Sequence, residues 1–215
     1  PHRKNAASGT MWAELLDVFR EIGDSTVDRV LVLTGADGDF CSGADVGGMD
    51  ERANSSDDAD AAPPKHQLAS MRHISDICLA LNRLPQPTIA KVRGACVGGG
   101  AAIAVSADIR IAADDARFGV PPARLGIGYP PAGAAALVRL IGPAWTRQLL
   151  YTGDLIDAPT ALRIGLVNEV VPLEQLDARV DQLVQSMLQR APLSQRAANL
   201  AVDAFYDAER LGEAV

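Results

Sequence analysis

The chain predicts an α/β fold with much parallel strand pairing, and three observations carry that expectation. Short apolar runs of strand length alternate with longer stretches whose apolar residues recur every three or four positions. Glycine-bearing turns follow several of the strand-like runs. Strands separated by helices imply βαβ crossovers, which pair strands in parallel. The 215 residues are 48% hydrophobic and 22% charged, which suits one sizeable globular core. Aromatic residues are only 4%, so Ala, Val, Leu and Ile must build that core.

Met11, Leu15, Phe19 and Ile22 form an apolar helical stripe, with Gly23 expected to end it. Val30 to Leu33 is a continuous apolar run and reads as a strand buried on both faces. Residues 51–66 are rich in Ala, Asp, Ser and Pro and read as a surface loop. A helix is expected from Leu68 to Leu84, closed by Pro85 and Pro87, then a strand from Thr88 to Val92. Gly98-Gly99-Gly100 opens a helix running to Ser106, and Ile109 to Ala112 is a third buried strand. Helices are expected over 132–140, 143–151 and 158–164, a strand over Leu166 to Val171, and closing amphipathic helices over 173–190 and 192–211. Those two helices could pack on the sheet or on a neighbouring subunit. The expected organisation is a core over 1–172 and a helical part over 173–215. Pro1 opens inside a loop-like segment and the last helical pattern stops at Val215, so both ends are expected to be truncated.

A net charge of −7 argues against a nucleic-acid footprint, which needs clustered Lys and Arg. Cys41, Cys78 and Cys96 are odd in number, widely spaced and without CxxC or Cys/His ligand spacing. They read as buried, reduced thiols of a cytoplasmic protein. No apolar run approaches the roughly 20 residues of a membrane span, and no signal-like segment precedes the first helix.

Two turns carry the candidate chemistry: Phe40-Cys41-Ser42-Gly43-Ala44-Asp45 and Gly94-Ala95-Cys96-Val97-Gly98-Gly99-Gly100. Consecutive glycines let a backbone approach a ligand, and a helix starting there leaves N–H groups unpaired. If the turns face each other, two N–H donors could converge on one carbonyl oxygen and stabilise an enolate or tetrahedral anion. A packing role alone is the other reading. The glycine run lacks the last position of a dinucleotide fingerprint and is not followed by the Lys-Ser/Thr of a P-loop.

With Arg3-Lys4-Asn5-Ala6, Val32-Leu33-Thr34-Gly35, Pro87 to Gly94, Ala107 to Ala112, Leu150-Tyr151-Thr152-Gly153 and Ala161 to Asn168, these turns form an ordered set spanning nearly the whole chain. In it the chain resembles the crotonase (enoyl-CoA hydratase/isomerase) superfamily. The resemblance implies a crotonase-like (ClpP/crotonase-type) spiral of ββα units with a helical C-terminal part. It implies an acyl-CoA thioester held by the N–H groups of Ala44 and Gly99, with backbone of Ser42, Ala44, Asp45 and Val46 lining the adenine pocket and Gly98 beside it. Arg3 and Lys4 fall where the family places cations near the CoA phosphates, or are solvated charges. Asp45 and Asp108 fall at positions with a structural role. The resemblance also implies a homotrimer or a dimer of trimers, and no metal or bound redox cofactor, since coenzyme A arrives with the substrate.

The resemblance breaks at the acid–base groups. The two hydratase glutamates fall at Ala102 and Pro122, and a dienoyl-isomerase shuttle residue falls at Pro130. No Asp or Glu lies between Asp115 and Asp154. Each missing group typically contributes 10²–10⁴-fold. Tyr129, in Leu125-Gly126-Ile127-Gly128-Tyr129, is similar in setting to the tyrosine that orients the substrate carboxylate in methylmalonyl-CoA decarboxylases, although those enzymes carry His and Glu where this chain has Ala44 and Ala102. A packing tyrosine is the alternative. His66, His73 and Ser75, in or beside the second helix, are weaker candidates. Three functions stand open: a hydratase or isomerase, a decarboxylase, and an acyl-CoA binder without catalysis.

Overall fold

The computed structural model describes residues 3–44 and 65–205, with backbone alone over 65–70. Asp45, Val46 and residues 51–64 of the loop expected over 51–66 lie outside the described residues, as do the side chain of His66 and the expected helix beyond residue 205, while residues 65 and 66 are helical rather than loop.

Helix α1 spans Gly9–Asp24, and the Ser8 hydroxyl caps it by accepting the Met11 N–H at 3.3 Å. Its buried residues are Trp12, Leu16 and Phe19, with the expected Leu15 and Ile22 partly buried against the same core, while Trp12 takes the inward place expected of Met11, which is exposed. The reason is Trp12, whose ring finds a close partner in the glycine turn described below. Gly23 does not end the helix. A Cβ there would lie 3.4 Å from Leu84 Cδ2, so Gly23 is where α1 passes the end of α2, and the chain turns at Ser25.

Four strands, β1 (Leu31–Thr34), β2 (Thr88–Val92), β4 (Ile109–Ala113) and β7 (Glu169–Val171), form a parallel sheet in the order β1-β2-β4-β7. Side chains alternate between its faces. Ala90, Val92 and Ala112 enter the main core, while Ile89, Ile111 and Ala113 meet Leu176 and Val180 on the far side. β1 is an edge strand and only half-buried, where burial on both faces was expected. β7 is shorter than expected. The N–H groups of Leu166 and Val167 bond back to Ala161 O, so the chain joins the ladder only after them.

A second sheet, unannounced by apolar periodicity, pairs β3 (Ala95–Val97) in parallel with β5 (Arg117–Gly119), and β5 antiparallel with β6 (Ile156–Asp157). Helix α2 (Lys65–Asn82) begins earlier than Leu68 and packs against α1, α3 and α5. Helix α3 (Gly99–Ser106) is buried throughout, and the short α4 (Pro122–Leu125) was not expected. Helix α5 (Pro131–Thr152) is two helices meeting at a kink, because Gly142 at φ 71° and Pro143 interrupt the ladder. Helix α6 spans Ala158–Arg163. Helix α7 (Leu176–Leu188), after a 3₁₀ turn at Leu173–Gln175, covers the far face of the sheet. Helix α8 (Pro192–Ala204) buries only Ala204 among its described residues.

Candidate active site

The first turn is built as an extra rung beside β3. Phe40 N–H donates to Arg93 O at 2.8 Å, Cys41 N–H to Ala95 O at 2.8 Å, and Val97 N–H to Cys41 O at 2.9 Å. This laces Phe40 and Cys41 along β3 and delivers Ser42-Gly43-Ala44 to the mouth of α3. The Arg3–Ala7 segment is tied on from the other side. Ser42 N–H donates to Lys4 O at 2.9 Å, its hydroxyl to Arg3 O at 3.1 Å, and Ala7 N–H to Gly43 O at 2.8 Å. Arg3 and Lys4 are exposed beside this turn.

The two glycine turns meet. A Cβ on Gly43, which sits at φ +100°, would lie 3.0 Å from Val97 O and 3.2 Å from Gly99 N. A Cβ on Gly100 would lie 2.4 Å from Cys41 O, so the third glycine is required by the crossing itself. Gly98, the N-cap of α3, holds φ 57° and ψ −119°, and its N–H is anchored to Gly119 O of β5 at 2.9 Å. Gly99 is the first helical residue, so its N–H has no acceptor within the helix. The helix end adds a positive dipole at the same place. The first turn thus passes directly against the N-terminus of α3.

The surroundings are apolar. The positions of Trp12 Cζ2 and Ile74 Cδ1 are 3.2 and 3.5 Å from where a Gly99 Cβ would be, and Met71 Cε is 2.6 Å from where a Gly128 Cβ would be. Ala102 is fully buried, and a Cβ on Gly133 would fall 2.9 Å from Ala102 Cβ and 3.2 Å from Tyr129 Cε1. The start of α5 and the Tyr129 ring thus fill the space around Ala102. Pro122 is also buried. The Tyr129 hydroxyl donates to Gly98 O at 3.4 Å, and burial pushes its ionisation well above the usual phenol range, with Cys78 and Cys96 adding to it. It is a neutral donor at any working pH.

His73 Nε2 and Ser75 Oγ are buried and have no hydrogen-bond partner among the described residues, on either side of Ile74 in α2. Asp108 Oδ2 accepts from Thr88 N–H and Oγ1–H, each at 2.8 Å, which fixes the start of β4 on β2. All three cysteines are free. Desolvation raises the Cys41 thiol, raises Cys78 to about 11 and raises Cys96 well above its ordinary value, so none is an activated thiolate. Among the described residues, no group of three or more metal-ligating side chains gathers, and no helix is long and apolar enough to cross a membrane.

Of the residues singled out from sequence, Gly98, Gly99 and Tyr129 come together here, with the turn that carries Ser42 meeting them through Gly43 and with Arg3 and Lys4 beside that turn, while Ala44 is bridged to Ala7. Trp12, Ile74 and Gly133 were not anticipated. Trp12 stood one position off the expected stripe, and Gly133 is a small residue in an expected helix with nothing else to mark it.

A two-turn apposition at the mouth of a buried helix, on a parallel α/β frame, is the architecture of a crotonase-fold protein. The chain belongs to the enoyl-CoA hydratase/isomerase family, whose model matches residues 1–214. It is 34% identical over 204 residues to a crotonyl-CoA hydratase of Syntrophomonas wolfei subsp. wolfei, covering 94% of this chain and 75% of that protein. Among solved structures, an enoyl-CoA hydratase/carnithine racemase from Magnetospirillum magneticum superposes with a TM-score of 0.87 at 30% identity, covering 99% of this chain and 79% of the other. A monofunctional enoyl-CoA isomerase from M. smegmatis superposes with a TM-score of 0.77 at 29% identity, covering 96% and 85%.

Proposed function

We propose that this chain binds an acyl-CoA thioester with its carbonyl oxygen between the N–H groups of Ala44 and Gly99 and stabilises the enolate of that thioester. The observation that carries the reading is the contact of the turns, with the place of a Gly43 Cβ 3.2 Å from Gly99 N. Negative charge developing on the thioester oxygen then meets two amides and a helix N-terminus in an apolar, buried setting, where such donors are worth far more than in water. Arg3 and Lys4, fastened beside the first turn, suit the coenzyme A phosphates, while the family resemblance assigns the adenine pocket to the backbone of Ser42, Ala44, Asp45 and Val46. Coenzyme A enters with the substrate, and the reading needs no metal or bound redox cofactor. The three free thiols suit a cytoplasmic setting.

Holding the enolate needs only the amide donors, whereas adding water or shifting a proton needs an acid–base group as well. Where hydratases of this superfamily carry glutamates, the chain has Ala102 and Pro122, both buried. A second reading is favoured by that pairing and by Tyr129: decarboxylation of a methylmalonyl-CoA-type substrate. There the bond from the α-carbon to the carboxylate breaks, carbon dioxide leaves, and the electron pair becomes the thioester enolate before water protonates the α-carbon. A chain that binds acyl-CoA without turning it over is the third outcome. Calorimetry with butyryl-CoA tests the common claim, with micromolar binding expected in the parent and at least tenfold weaker binding in Ala44→Pro, which removes one donor. Hydration of crotonyl-CoA and carbon dioxide release from methylmalonyl-CoA then divide the chemistries. No binding of any thioester would overturn the proposal.

A further inference from the structure

We infer that Tyr129 is a positioning residue that sets the strength and direction of the Gly99 donor through the Gly98–Gly99 peptide, an inference that rests on the thioester-binding reading above. Gly98 O and Gly99 N–H are the two ends of one planar trans peptide, so fixing the oxygen fixes the N–H on the opposite side. That oxygen accepts two bonds: the Ala102 N–H at 3.0 Å, from inside α3, and the Tyr129 hydroxyl at 3.4 Å, from the α4–α5 connection. Gly98 sits at φ 57° and ψ −119°, a conformation that lacks the restraint of a Cβ, so the α3 bond at 3.0 Å does the first holding and the longer bond from Tyr129 adds a second restraint from outside the helix. The same two bonds draw electron density toward the oxygen and leave Gly99 N–H a better donor, as in any hydrogen-bonded chain.

The surroundings of Tyr129 fit this role. Its ring is packed over the approach of Ala102 to Gly133, where a Gly133 Cβ would be 3.2 Å from Tyr129 Cε1. A small residue at each of these positions makes the space the ring occupies. Burial keeps the phenol protonated, so the bond runs from Tyr129 to Gly98 at every working pH. The ring thereby couples the start of α5 to the mouth of α3.

The test reads the polarisation of the thioester rather than turnover alone. Butyryl-CoA carrying ¹³C at the thioester carbonyl is bound to the parent protein, to Tyr129→Phe and to Gly133→Ala, and the carbonyl stretch is followed by isotope-edited infrared spectroscopy. In the parent the stretch falls on binding. In Tyr129→Phe a substantial part of that fall is lost, with affinity changed less than about threefold and the rate of whichever reaction the parent performs lowered about three- to tenfold. Gly133→Ala keeps the hydroxyl but crowds both Ala102 and the ring, and moves the stretch the same way by less. An undiminished fall in Tyr129→Phe overturns the inference, and if turnover is lost at the same time the hydroxyl acts directly on substrate. Absence of any fall in a parent that binds butyryl-CoA removes the oxyanion site itself, and absence of binding removes the functional reading together with this one.

Discussion

Gly43 holds φ +100° at the point where two chain segments pass within van der Waals distance, so an alanine there meets two penalties at once. The backbone strain costs about 1–3 kcal/mol, and the methyl group would press on Val97 O at 3.0 Å and Gly99 N at 3.2 Å. Gly38 offers the comparison, since it has a similar φ of +93° with open space around its Cβ position. Gly38→Ala should lower stability in urea by about 1–3 kcal/mol from strain alone, and Gly43→Ala by more than Gly38→Ala. Only Gly43→Ala should also weaken butyryl-CoA binding, by tenfold or more in calorimetry. Equal effects of the two variants on binding would show that the contact of the turns is packing alone. This residue was legible from sequence because a glycine flanked by Ser42 and Ala44, after a strand-like run, has few other reasons to be there. The partners that enclose the site were not. Trp12 reaches Gly99 across 87 positions, and Gly133 meets Ala102 across 31, contacts that no local pattern encodes.

Among elements, the same division follows length. β2, β4 and α3 could be read directly, because α3 is eight consecutive apolar or small residues and β2 and β4 are apolar or small but for Thr88 and single long cations, Lys91 and Arg110. β3, β5 and β6 are two or three residues each and exist only through their pairing, with Gly98 N–H on Gly119 O closing the ladder at the site. α7 shows how a surface element is fixed to the sheet. Its apolar side meets Ile89, Ile111 and Val171, and Asp177 in its first turn accepts from Lys91 Nζ at 2.6 Å and Arg93 Nη2 at 2.8 Å. The hydrogen bond from Lys91 leads in holding the Asp177 carboxyl below its ordinary value, with the charges of Lys91 and Arg93 adding to it. A depressed carboxyl stabilises the folded state above its unfolded value of about 3.9. That contribution disappears as pH falls through the lower folded value. Asp177 is largely exposed, so Asp177→Asn should cost no more than about 1 kcal/mol at neutral pH. The difference from the parent should shrink in high salt and vanish in strong acid, as urea titrations at several pH values would register. A loss that salt does not diminish would mean that α7 is held there by packing rather than charge.

For the whole molecule, the unequal covering of the two closing helices is the feature that reaches beyond one chain. α7 buries Leu176 and Val180 against the sheet, whereas α8, equally two-sided in its sequence, buries only Ala204 among its described residues. Leu193 is 78% exposed and Val202 64% exposed. Scattered apolar residues on a surface are ordinary, but a helix whose apolar positions stay uncovered gains little by folding alone. We propose that further copies of this chain cover α8 in a homotrimer or a dimer of trimers, the assembly that the family resemblance implies. Light scattering behind size exclusion should then give three or six times the 22.6 kDa chain mass. Leu193→Asp with Val202→Asp should shift that mass toward the monomer, because a charge desolvated at an interface without a partner is costly on every copy. The double variant should keep the far-ultraviolet circular dichroism of the parent, since both side chains stand clear of the core in the single chain. A parent that elutes as a monomer at micromolar concentration, or a variant that assembles undiminished, would place the assembly surface elsewhere or remove it.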